Sequence, residues 1–152
     1  MTDPVTFTST TPRHDLPYLI AGQAQKEVFV NEAFARVDAL LQPVVGGSST
    51  APPAAPMAGD CWIVADGATG AWEGREDHLA SWDGGQWTLH PPFAGLRVFD
   101  LAQGRMRTYA AGWDSAPEPA DPAGGQVVDS EARAAVSAIL AVLRAHRIIP
   151  GA

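Results

Sequence analysis

Two stretches rich in proline and glycine do most to limit what this chain can become. Residues 43–59 (PVVGGSSTAPPAAPMAG) hold four prolines, a Gly-Gly and a Ser-Ser. Proline fixes its own φ and lacks a backbone donor, so this run is predicted to be a semi-stiff, partly polyproline-like linker without regular structure. Residues 115–127 (SAPEPADPAGGQV) read as a second linker. The chain is thereby cut into short pieces: an extended arm over 1–15, a helix within 16–42, a Trp-rich β region over 60–114 and a C-terminal helix within 128–152. The fold class expected from these pieces is α+β, with an N-terminal arm and helix, a small antiparallel β meander and a C-terminal helix.

Each piece has its own pattern. The arm (MTDPVTFTSTTPRHD) has Thr and Val, which favour extended backbone, and two prolines that prevent a helix. Arms of this kind often order only against a partner subunit. From Gly22 onward Val30, Phe34, Val37 and Leu41, with Leu40 beside them, fall at helical spacing on one stripe, and Pro43 stops the helix. Strands are predicted at Cys61–Ala65, Leu79–Trp82, Trp87–His90, Leu96–Phe99 and Arg105–Ala110. Asp83-Gly84-Gly85 has the chemistry of a tight hairpin turn, and Asp66-Gly67 and Gln103-Gly104 mark neighbouring connections. Arg105, Arg107 and Tyr109 alternate with Met106 and Thr108, as on a strand with two unlike faces. In the last piece Asp129 or Ser130 can cap a helix whose stripe is Val136, Ile139, Leu140 and Leu143, with Arg144, His146 and Arg147 at its end.

The totals narrow the function classes. A chain of 152 residues suits one domain, or one small domain with a docked terminal element, and 46% apolar residues can support a core. A formal charge of −7 disfavours nucleic acid as a partner. The lone Cys61 cannot form an internal disulfide, and its neighbours Trp62, Ile63 and Val64 predict a buried thiol on a strand, with Trp62 in the core. The N-terminus lacks a basic stretch followed by an apolar run, and no apolar segment reaches the roughly 20 residues needed to span a bilayer. The expectation is a protein made in the cytoplasm that leaves the cell, if at all, inside an assembled particle.

The residue types that carry chemistry are present but scattered. His14, His78, His90 and His146 form no helical pair for zinc and are expected at surfaces or strand edges. Ser81 lacks a nucleophile-elbow motif. Glu73, Glu76 and Asp77 could supply the two carboxylates of a glycosidase, but a solvated acidic turn explains them as well. Neither the calcium-loop spacing nor a phosphate-binding loop occurs. The chain is therefore expected to be non-enzymatic, with no cofactor and no metal. The aromatic residues are the one positive signal. Trp82, Trp87 and Trp113 flank Gly-rich turns and are candidates for glycan or partner contact, because indole faces stack on sugar rings and also serve protein interfaces.

One segment is less generic. Leu16 to Leu19 (Leu-Pro-Tyr-Leu), Gly22 to Lys26 (Gly-Gln-Ala-Gln-Lys) and Asn31 to Ala33 (Asn-Glu-Ala) together resemble the N-terminal signature of a family of uncharacterised proteins found among phage tail and gene-transfer-agent genes. Gly59-Asp60, Gly70-Ala71-Trp72 and Trp82 to Trp87 are similar to that family's later elements, so the resemblance covers about residues 13 to 113. It implies a particle role, as a head spike, a tail fibre or its base. The short chain favours a base or adaptor that anchors a separate fibre for host-surface adsorption. The partners so implied are copies of itself and capsid, tail or fibre proteins. The alternative is a module that binds capsular or surface polysaccharide. Gln23, Gln25, Lys26, Glu27 and Asn31 are the candidates for polar contact between subunits.

Overall fold

A computed structural model describes residues 9–19, 26–114, 119–125 and 129–149. Helix α1 runs over Lys26–Leu40, strand β1 over Val44–Val45, β2 over Ser48–Ser49, β3 over Cys61–Val64, β4 over Leu79–Trp82, and β5 over Trp87–His90. Strand β6 runs over Arg97–Asp100, β7 over Arg105–Tyr109, β8 over Trp113–Asp114, and helix α2 over Ser130–Ala145. The fold is α+β, as expected.

The sheet differs from the expected single antiparallel meander. There are two four-stranded sheets, ordered β1-β6-β7-β8 and β2-β3-β4-β5. Both are mixed, because β1 pairs parallel to β6 and β2 pairs parallel to β3. The extra strands come from the predicted linker. Val44-Val45 joins one sheet and Ser48-Ser49 the other, so the chain crosses between sheets at Gly46-Gly47. The crossing needs glycine, since a Cβ on Gly46 would lie 2.9 Å from Cζ2 of Trp62. Strands β4 and β5 match their predicted bounds, and β3, β6 and β7 lie within one residue of theirs at each end.

The core lies between the sheets. Val45, Leu96 and Val98 of the first sheet region pack with Cys61, Ile63 and Leu79 of the second, closed by Leu40, Tyr109 and Trp113. The period-2 alternation of β3 and β4 sends Val64 and Ala80 to the other face of the second sheet. There they meet Ala68 and the fully buried Trp72, with Trp62, Trp87 and Leu89 half-buried around them. Trp62 thus edges this second cluster instead of lying within the core.

The arm also departs from expectation. Its described part folds onto its own chain. Thr11 and Leu16 exchange backbone and side-chain hydrogen bonds, and Tyr18 N–H donates to the Ser9 carbonyl. Thr11, fully buried, donates its hydroxyl to Asp38 at 2.6 Å, and the backbone N–H groups of Arg13 and His14 donate to the same carboxylate at 3.1 and 2.7 Å. The Arg13 guanidinium donates to the carbonyls of Asp38, Ala39 and Gln42, and so caps the C-terminal end of α1. This clamp turns α1 away from its predicted orientation. The helix buries Asp38 and Ala39, while Val37 and Leu41 of the expected stripe are exposed. Residues 16–19 lie outside any helix, and the described part of the helix runs from Lys26.

Candidate functional site

The predicted aromatic set is divided between two places. Trp82 and Trp87 face each other across the β4–β5 hairpin with ring centroids 5.2 Å apart. Trp72 rises from a short 3-10 turn over Gly70–Trp72 and meets Trp87 edge-on at 5.0 Å. Edge-to-face geometry suits the quadrupoles of the two rings, and the buried indole N–H of Trp72 has no hydrogen-bond partner among the described residues. Trp82 and Trp87 are consequently half-buried rather than free platforms.

Trp113 belongs to the other sheet. It stacks edge-on with Tyr109 at 5.4 Å, and its Nε1–H donates to the Asp77 carbonyl at 2.7 Å. One side of Trp113 borders an open polar cleft of about 470 Å³, whose wall includes Ser48, Asp66, Asp77 and Arg107. The alternation of β7 puts Arg107 on the inner face. Its guanidinium pairs with the fully buried Asp100 at 3.3 Å, donates to the Ser48 hydroxyl at 2.8 Å and to the Trp113 carbonyl at 3.2 Å. Asp100 also accepts from the Gln103 backbone N–H. Arg107 therefore ties the two sheets together and fixes the base of the cleft. The alternating pattern of β7 could point to Arg107, but nothing in the sequence marks Asp100 as its buried partner.

The acidic turn serves the backbone. Glu76 accepts from Ala68 N–H at 3.2 Å, Asp77 takes a positive φ of 65°, and Glu73 is exposed. His90 corrects the surface expectation. It is buried, and its Nε2 lies 2.8 Å from Ser81 Oγ. Burial, with smaller contributions from Arg36 and His78, holds its pKa below the ordinary imidazole value. Ser81 and His90 are diagonal neighbours on one sheet face, and among the described residues no carboxylate hydrogen-bonds the ring. The pair satisfies a buried imidazole. No group of three or more His, Cys, Asp or Glu among the described residues is placed to hold a metal ion.

The predicted intersubunit residues are separated. Gln23 and Gln25 lie outside the described residues, as does the side chain of Lys26, whose backbone opens α1. Asn31 is engaged within the chain: its Oδ1 accepts from Leu19 N–H at 2.9 Å and its Nδ2 donates to the Leu19 carbonyl at 3.2 Å. Asn31 thus ties Leu19, in the segment after the arm, to α1. Glu27 is half-buried, with Oε2 enclosed and unpartnered among the described residues. The exposed residues of α1 include large apolar side chains, led by Phe29 at 79% exposure, with Val28 and Val37, beside the charged Glu32 and Arg36; Leu41, just past the helix, is exposed as well. Sequence reasoning missed this face because it placed Val37 and Leu41 inward.

The geometry defines a small α+β module with a two-sheet core, an arm-clamped helix and no assembled catalytic cluster among the described residues. Residues 30–114 match a family described as a protein of unknown function, DUF2793, and the chain belongs to that family. The match spans most of α1 and all eight strands, leaving the docked arm and α2 outside it. No curated protein and no solved structure matches the chain. No helix among the described residues is long and apolar enough to cross a membrane.

Proposed function

We propose that the chain is a non-enzymatic structural component of a phage-like particle or gene transfer agent, a base or adaptor that anchors a fibre or attachment protein for host-surface adsorption. The outer face of α1 carries the reading. The arm occupies the inner side and the C-terminal end of this helix, fixing Phe29, Val37 and Leu41 outward on a rigid support. Large exposed apolar side chains interspersed with the charged Glu32 and Arg36, on a helix tied down at its end, suit a protein interface. The resemblance of Leu16–Leu19, Gly22–Lys26 and Asn31–Ala33 to particle proteins supports the choice of partner. Its partners are copies of itself and capsid, tail or fibre proteins, without nucleic acid or membrane insertion. It is made in the cytoplasm and carried out in the virion.

Particles from cells making the wild-type chain and a Phe29→Glu variant, compared by imaging and by mass spectrometry, test this reading. The wild-type chain is expected in the particles, and the variant is expected to be depleted together with one appendage. A wild-type chain absent from particles, or a variant incorporated normally, overturns it.

The cleft beside Trp113 favours a second reading, a carbohydrate-binding module for capsular or surface polysaccharide. An indole wall, a guanidinium and the carboxylates of Asp66 and Asp77 form a donor and acceptor set suited to sugar hydroxyls, and the cleft volume lies in the range of small-ligand sites. On a glycan array, Trp113→Ala should abolish binding while Trp82→Ala, in the separate aromatic cluster, leaves it unchanged. Absence of binding by the wild-type chain sinks this reading.

A further inference from the structure

Helix α2 is apolar almost all round. Residues 134–143 read AAVSAILAVL, with Ser137 the single polar side chain. A helix of that kind is normally enclosed by protein, since it has no polar side to offer water. Yet only Leu140 among its residues is buried. Ile139 is 59% exposed, Val142 57% and Val136 43%. At 100° per residue these three fall on one side with Ala132, Ala135 and the half-buried Leu143. Leu140, Arg133 and Arg144 lie on the other side, where Arg144 approaches Asp121. The exposed stripe therefore runs the whole length of the helix and faces away from its own chain.

We infer that α2 is the contact by which two copies of this chain pair, stripe against stripe and antiparallel. The charge pattern selects both occupant and direction. The first turn is acidic, with Asp129 capping the helix and Glu131 following, and the exposed Arg147 makes the far end basic, Arg144 being turned to the other side towards Asp121. The segment 129–149 carries two acidic and three basic residues, Arg133 being the third, in a chain whose net charge is −7. An antiparallel pair sets the acidic end of each helix beside the basic end of the other. A parallel pair stacks like charge on like. The twofold axis passes near Ile139, which meets its own copy, while Ala132 lies opposite the partner's end near His146. At sixteen residues a lone helix is only marginally stable in water, so the pairing also adds to the stability of a helix that follows a Pro/Gly linker. The inference goes beyond the particle reading: a chain that pairs through α2 but is absent from particles removes that reading alone.

Sedimentation equilibrium of the full chain over a range of concentrations is the test. A monomer–dimer equilibrium is expected, and Ile139→Glu should leave a monomer. Phe29→Glu, on α1, should leave the dimer intact. Disulfide capture reports direction, and Cys61 is buried and does not compete. Ile139→Cys should cross-link to its own copy under mild oxidation, and Ala132→Cys should not, because about 20 Å separates the two Ala132 positions in the antiparallel pair. A wild-type monomer at all concentrations, a dimer that survives Ile139→Glu, or equal cross-linking at both positions overturns the inference.

Discussion

Cys61 and His90 point to the same side of the second sheet, and burial acts on them in opposite senses. Burial disfavours the thiolate, so the Cys61 thiol is pushed up to about 11, against a lesser lowering by Arg13. Thiol reagents act on the thiolate. At pH 8 the native chain should react about 100-fold or more slowly than a free thiol, since each pKa unit removes about tenfold of thiolate. One equivalent should appear on unfolding, as a spectrophotometric thiol assay with and without denaturant would record. For His90 the same burial disfavours the imidazolium, so the folded pKa lies below the unfolded value of about 6.5. Protonation then favours the unfolded chain. Stability should be full above pH of about 6.5 and decline as pH falls through that value towards the folded pKa. Denaturant midpoints across this window should show the decline, and His90→Gln should flatten it. The sequence identified Cys61 as buried because three apolar neighbours surround it. It misplaced His90 because the prolines at 91 and 92 suggest an exposed strand end, while the partner that allows burial, Ser81, is supplied by the adjacent strand.

At the level of elements, α1 depends on the arm. Three donors from Thr11, Arg13 and His14 converge on the Asp38 carboxylate. Asp38→Ala leaves them without that acceptor, at a cost of about 2–4 kcal/mol for a buried, charge-assisted set. Trypsin cleavage after Arg13 should become fast in the variant and stay slow in the wild type, while the hairpin β4–β5 remains protected. The helix itself was legible from its apolar spacing and from Pro43. Its facing was not, because an aspartate is read as solvent-exposed until a partner for it is known. Helix α2 was equally legible, and so was its cap: Asp129 accepts from Ala132 N–H at 2.9 Å as its position implies. Its expected stripe was not, since Leu140 is buried while Val136 and Ile139 are exposed.

For the molecule as a whole, the crossing between sheets is the sensitive point. Gly46 takes no positive φ, so its requirement is space: the Trp62 ring lies where a Cβ would be. Gly46→Ala should lower stability by about 1–3 kcal/mol through overpacking. Adding Trp62→Val should restore part of the loss by vacating the ring's volume. Thermal unfolding of the single and double variants, followed by circular dichroism, measures both effects. If the double variant only sums the losses of the two single ones, the contact between Gly46 and Trp62 is not the cause.

The sequence by itself determined the local elements. Hydrophobic period set the two helices, Gly-containing turns bounded β4, β5 and β7, and proline ended the first helix. Each of these signals lies within a few residues of the feature it controls. Tertiary structure alone decided that the stretch after Pro43 would divide between two sheets, because a two-residue strand has no signal of its own and exists only through pairing with β3 and β6. It also decided that the arm would turn α1, that Arg107 would find Asp100, and that Trp113 would stand apart from Trp82 and Trp87. These depend on contacts between residues distant in the chain, such as the 59 positions separating Ser48 from Arg107. The proline and glycine run that limited the possible folds is thus less a spacer than the place where the chain passes from one sheet to the other.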